Sequence, residues 1–288
     1  MRLLLTTLLF STAALAAPYF PSELPNDTPL WKRQPAVQAA FITGKNDPVA
    51  AIKQLQPLAD TGNVQALGQL ASYVIAGRGT RQDENAGCVA ARSAYRQGAV
   101  NASTSLIGCL MLGVFSEPRP NQEAEALRIA TEAWEKYRYP SALTYLGLMQ
   151  QEGIGMEPDP QAAERIYRMA VRYGDEPAAF FLAQLLDKDI AVKHSDAEIT
   201  AIYRLAAIRM HGPSMMAMAS RLSQRKETLK EAAAWAALAD TNRQPGAAQL
   251  LQELKTKIAK EGMTVDPGVV TRLGAEMMVA SYEPMKLP

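Results

Sequence analysis

The stretch Ala142-Leu143-Thr144-Tyr145-Leu146-Gly147-Leu148-Met149-Gln150-Gln151-Glu152-Gly153-Ile154-Gly155, followed by Asp159-Pro160 and Gly174, decides the fold, because its marks recur along the chain. Ala66, Ala102, Ala142 and Ala178 stand 36, 40 and 36 residues apart. A leucine follows each alanine by four residues: Leu70, Leu106, Leu146 and Leu182. Gly77, Gly113 and Gly153 lie eleven residues after the first three alanines, and Gly62, Gly98 and Gly174 lie four before the first, second and fourth. Asp47, Asp83 and Asp159 each precede one of those upstream glycines by fifteen. Self-similarity at such a period is the mark of a repeat architecture.

Each offset has a physical reading. Asp47-Pro48 and Asp159-Pro160 place a capping carboxylate before a proline at the first helical position. Ala50, Ala51, Leu55, Leu58 and Ala59 then share one helical face, as do Ala162, Ala163, Ile166, Tyr167 and Ala170. Gly62, Gly98 and Gly174 close these helices, where a left-handed residue lets the last carbonyls be satisfied. A second helix begins near each repeated alanine and ends at Gly77-Arg78-Gly79 or Gly153-Ile154-Gly155. The expectation is an all-α fold, a right-handed α-solenoid of stacked antiparallel helix hairpins.

These residues carry a resemblance. Ala142 to Gly155, with Asp159 to Tyr167 and Gly174, resembles the Sel-one-like repeat, a relative of the tetratricopeptide repeat. Ala66 to Gly98 matches it nearly as well. Ala102 to Gly113 matches the first helix, but the Glu117–Asn121 turn carries an insertion and lacks the second glycine. The unit beginning at Ala178 has Asp189 where glycine is expected, and the pattern is degenerate from His211 to Arg221. About five repeats are expected across residues 46–245. Lys230 to Asp240, with Trp235, reads as the last second helix, and residues 246–262 as a capping helix.

The flanks read differently. Arg2, the apolar run from Leu3 to Phe10 and Ala14-Leu15-Ala16 form a secretory signal over residues 1–16, with cleavage before Ala17. No cysteine follows that site, so no lipid anchor is expected, and no later apolar run is long enough for a membrane span. The expected location is therefore periplasmic or secreted. Residues 17–45 read as a proline-rich arm and linker, with Trp31 a candidate anchor. Residues 263–288 read as an irregular tail.

Composition excludes several functions. The 288 residues carry 30 Lys+Arg and 29 Asp+Glu, and removal of Arg2 would leave 29 of each sign. Such a chain lacks the basic excess that drives phosphate binding, so no nucleic-acid partner is expected. Two His and two Cys are too few for most transition-metal sites, and neither metal nor cofactor is expected. His194 and His211 read as surface or capping residues. No G-x-S-x-G, H-E-x-x-H or phosphate-binding loop occurs, so no catalytic residue is assigned. Ser223-Gln224-Arg225-Lys226 has the S-x-x-K form of serine β-lactamases, but only Lys255-Thr256-Lys257 approximates a companion motif. A β-lactam-acting enzyme is thus the least favoured reading.

Cys88 stands ten residues before Gly98 and Cys109 eleven after it, at one height in an antiparallel pair. With export this spacing reads as a structural disulfide, the alternative being two buried thiols. The position three residues after each repeated alanine reads Gln69, Ser105, Tyr145 and Phe181. As an exposed row beside the buried stripe it would form a partner-binding surface; the alternative is packing between repeats. Met210, Met215, Met216 and Met218 form a second cluster, either adaptable surface or core filler. The resemblance implies a protein partner, since exported members of the family act as adaptors, and several are immunity proteins that neutralise phospholipase effectors of type VI secretion. The alternative is a scaffold for polysaccharide export or cell-wall assembly.

Overall fold

The computed structural model describes residues 35–188, 194–280 and 285–287. The signal segment, Trp31 and Asp189 lie outside the described residues. Among those described, fourteen α-helices follow one another without a strand. They are α1 Pro35–Asn46, α2 Pro48–Asp60, α3 Val64–Ala76, α4 Glu84–Arg96, α5 Ser103–Leu112, α6 Arg119–Glu135 and α7 Pro140–Glu152. Then come α8 Pro160–Arg172, α9 Glu176–Lys188, α10 Asp196–Ala207, α11 Gly212–Leu222, α12 Leu229–Thr241, α13 Ala247–Lys260 and α14 Pro267–Ala280. In chain order, odd-numbered helices are termed first helices and even-numbered ones second helices. The chain divides within α8 into two compact units, one ending at Ile166 and one running from Tyr167.

The second helices start as their sequence dictates. Asp47, Asp83 and Asp159 accept hydrogen bonds from the backbone N–H of Ala50, Ala86 and Ala162, each at 2.9 Å. Each thereby satisfies one orphan donor of a first turn. The glycine pair that ends α3 has two separate duties. Gly77 takes a left-handed φ of 64° as the helix cap. Gly79, at φ 70°, lies so close to α2 that a Cβ would sit 2.8 Å from the carbonyl carbon of Pro48. The third hairpin lacks that second glycine. There the Arg92 guanidinium lies 3.5 Å from the Phe115 ring centroid and pairs with Glu117 at 2.7 Å and Glu125 at 3.0 Å. The Gln122 amide donates to the Phe115 and Glu117 carbonyls, so side chains fasten the inserted loop.

Six turns lead from a second helix to the next first helix, and all contain a left-handed residue. Five close with the same bond, from Asn63, Ala99, Asp175, His211 and Gln244 N–H to the carbonyl five residues back. The left-handed residue is glycine at 62, 98 and 174, but Met210 at φ 67° and Arg243 at φ 55°. The sixth turn is one residue longer, with Tyr139 N–H reaching the Ala133 carbonyl and Arg138 left-handed at φ 48°. The repeat therefore persists where its glycine signal is lost.

Two expectations for the flanks are corrected. Residues 35–46 are not linker: α1 begins at Pro35, whose fixed φ suits a first turn, and buries Val37 and Ala40 with Ala51, Leu55 and Tyr73. Residues 263–288 are not wholly irregular: α14 starts at Asp266-Pro267, the same device as at 47-48 and 159-160. The Asp266 carboxylate accepts from Gly268 N–H at 2.9 Å, and Leu273 and Ala280 bury one face. The described helices thus extend beyond residues 46–245, where about five repeats were expected, at both ends. Helix α13, expected as a cap, packs on α12, and α14 packs on α12 as well. No described helix is long and apolar enough to cross a membrane.

Candidate functional site

First helices are packed on most sides, and this decides which side chains reach a partner. Gln69, Ser105, Tyr145 and Phe181, the expected binding row, are all buried, at 8%, 1%, 0% and 2% exposure. The expected exposed surface is corrected on this point. The burial of these positions agrees with the packing alternative. Phe181 stacks on Tyr167 with ring centroids 6.1 Å apart and meets Phe180 edge to face at 5.4 Å.

The neighbouring Phe180 is buried too, at 7% exposure, but it borders a groove. In the unit that runs from Tyr167, Phe180 and Tyr203 line a groove of about 460 Å³ formed across α9, α11 and α13. Half-buried Met216 and Leu250 complete its apolar wall, and Gln184, Ser220, Gln249 and Glu253 supply polar atoms. The Gln249 amide donates to Glu253 at 3.0 Å. Phe180 and Tyr203 meet edge to face at 5.9 Å, and Arg221 lies 5.7 Å from the Tyr203 ring centroid. Burial, with the Asp187 carboxylate nearby, pushes the Tyr203 phenol up to about 12, so it remains a neutral O–H. Of the methionine cluster, Met215 and Met218 fill the core at 1% exposure, Met216 lines the groove and Met210 sits exposed on its turn.

His211 is not a surface histidine. It precedes α11 fully buried, with Nδ1 2.8 Å from the Ser214 hydroxyl and its ring 5.4 Å from that of Phe180. Burial pushes its pKa down to about 3, so the folded chain holds it neutral. Between pH 6.5 and about 3 the unfolded chain binds a proton that the folded chain refuses. This contribution to stability is therefore present above pH 6.5 and is lost as pH falls, at up to about 1.4 kcal/mol per pH unit. His211→Asn is expected to flatten the difference in urea stability between pH 7 and pH 5 by about 2 kcal/mol. Equal pH dependence in variant and parent would show that His211 titrates freely in the fold.

A second hollow of about 410 Å³ is lined by Arg204, Arg221 and Arg225 with Asp196 and Glu231. Its cations are already occupied. Arg204 pairs with Glu231 at 2.5 Å and Glu276 at 2.6 Å, Arg221 with Asp187 and Asp196, and Arg225 with Asp196. Nor does the S-x-x-K quartet form a nucleophile pair. The Ser223 hydroxyl donates to the Ser220 carbonyl, and Lys226 pairs with Glu261 at 2.7 Å. That hydrogen bond holds the Lys226 ammonium above its ordinary pKa, the reverse of what a general base requires. No group of three or more His, Cys, Asp or Glu able to hold a metal occurs among the described residues.

Cys88 on α4 and Cys109 on α5 form the disulfide, with Cα atoms 5.8 Å apart and both side chains buried. The bond ties two consecutive hairpins. It packs with Ile75, Leu112, Val114 and Phe115.

No protein-family model matches the chain, and no curated protein matches it in sequence. Solved structures do match. A Sel1 repeat protein from Oxalobacter formigenes aligns with a TM-score of 0.54 at 17% identity, over 85% of this chain and 99% of that one. A protective antigen of uropathogenic Escherichia coli strains with an SLR fold aligns with a TM-score of 0.51 at 17% identity, over 87% of this chain. This chain spans 57% of that antigen. Consecutive helices without a strand among the described residues, the shared turn bonds and these two alignments together make the fold of this chain that of the Sel1 repeat proteins, an α-solenoid of stacked helix hairpins.

Proposed function

We propose that the chain is a non-catalytic, protein-binding solenoid of the cell envelope, and specifically an immunity protein that occludes a secreted phospholipase-type toxin. The observation that carries the binding reading is the groove across α9, α11 and α13. Its apolar wall, half-buried Met216 and Leu250 over the buried rings of Phe180 and Tyr203, lies beside the amide and carboxylate groups of Gln184, Gln249 and Glu253. An apolar site with a few polar groups suits a protruding loop that inserts an apolar side chain while its backbone meets hydrogen-bonding partners. The buried disulfide supports an oxidising compartment. The resemblance to exported family members supports the toxin-neutralising role, and steric occlusion needs no chemistry from the chain.

The test is inhibition. Tagged mature chain is incubated with secreted extract of its source strain, the captured enzyme is purified, and hydrolysis of a fluorogenic phospholipid is followed against added chain. One partner, inhibited at a ratio of one to one, is expected, and Met216→Glu is expected to weaken inhibition at least about tenfold by placing a charge against the apolar wall. Capture of several envelope components with no effect on any lipase would overturn the immunity reading in favour of a scaffold.

A further inference from the structure

The turn from Trp134 to Tyr139, in the unit that ends at Ile166, departs from the other five second-to-first-helix turns in its length and its residues. It shares a left-handed non-glycine position with only two of them. It is one residue longer, as its closing bond from Tyr139 to Ala133 shows. Its left-handed residue is Arg138, at φ 48°, where three sister turns have glycine and two have Met210 and Arg243. An L side chain is disfavoured in that conformation, and such strain concentrates at functional positions. Finally, its six residues are Trp134, Tyr137 and Tyr139 with the cations Lys136 and Arg138 and one exposed carboxylate, Glu135. Trp, Tyr and Arg are the residues most enriched in binding hot spots.

The side chains are arranged for recognition. The Arg138 guanidinium lies 5.1 Å from the Trp134 ring centroid, and the Lys136 ammonium lies 5.0 Å from that of Tyr137. Lys136 and Arg138 are exposed, and the three aromatics are half-buried. Arg138 has no carboxylate partner among the described residues. Glu132, the carboxylate nearest Lys136 at 3.9 Å, is also engaged by Arg128 at 3.1 Å and by the Tyr95 hydroxyl at 2.8 Å. A cation laid against a ring keeps its outward N–H donors available, which favours a carboxylate flanked by apolar groups. The whole chain carries a formal charge of only +1, so it lacks the extended basic surface that a polyphosphate backbone requires.

We infer that the 134–139 turn is a second interaction surface, separate from the groove, and that it binds an acidic, aromatic- or leucine-containing segment of a protein partner. The decisive variant is Arg138→Gly, which removes the guanidinium while installing the residue that sister turns use. Its melting temperature is expected to be unchanged or higher, so lost binding cannot be ascribed to misfolding. The probe is a fluorescein-labelled peptide of alternating Asp or Glu with Leu or Trp, titrated with the full chain by anisotropy. Its counterpart has Lys at every acidic position. The acidic peptide is expected to bind at least about tenfold more tightly than the Lys peptide, and Arg138→Gly to lose about tenfold of that affinity. Equal affinity for the two peptides, or undiminished binding by Arg138→Gly, overturns the inference. So does tighter binding of an oligothymidine of equal charge, lost in the same variant, which would make phosphate the ligand.

Discussion

Trp235→Ala is expected to remove about 3–5 kcal/mol of stability, the range for deleting a fully buried large aromatic. Trp235 is 0% exposed on α12, a helix that packs against α11, α13 and α14. Truncation would leave a cavity facing several helices at once, which a rigid stack can close only in part. The loss has a polar component too. The indole N–H donates to Glu231 at 3.3 Å, and Arg204 lies 5.6 Å from the ring centroid while pairing with Glu231 and Glu276. Removing the indole therefore takes the packed surface from beneath an ion-pair network that joins α10, α12 and α14. Calorimetry should register a fall of roughly 10 °C in the transition that includes α12. Trp235→Phe, which keeps much of the volume, is expected to cost less than half as much. A loss below about 1 kcal/mol for the alanine variant would contradict full burial of this side chain.

Replacing both Cys88 and Cys109 by alanine is expected to cost about 3 kcal/mol, the chain-entropy value for a closed loop of this size. The sequence separation is 21 residues, and the loop spans the end of one hairpin and the start of the next. With the bond intact, unfolding of α4 and α5 releases a constrained chain; without it, the released chain is freer and more favoured. The double variant is the cleaner test, because a single substitution would leave one buried thiol. Urea unfolding of parent and variant, each with a thiol titration under denaturing conditions, measures the effect. Two reactive thiols in the unreduced parent would show that the bond does not form. An unchanged midpoint in the variant would show that the bond contributes nothing to the fold.

The helical class, the order of first and second helices and the starts of α2, α4 and α8 are legible in the amino-acid sequence. The spacing of Cys88 and Cys109 favours the disulfide over two buried thiols, and the structure then shows the bond. These features depend on local chemistry: a carboxylate two or three residues from an orphan N–H, a proline at a first turn, a glycine able to take positive φ, and equal distances from a turn. Only the tertiary structure decided which side chains meet solvent. A first helix packed on most sides loses the apolar periodicity by which an exposed face is recognised, so Phe180 and Phe181 read alike; both are buried, and only Phe180 borders the groove. The same reason hid the burial of Gln69, Ser105 and Tyr145. At Arg138, Met210 and Arg243 the backbone is left-handed without the glycine that would have announced it. Those turns, and the outermost helices, follow from packing between repeats, a long-range constraint that no short stretch of sequence expresses.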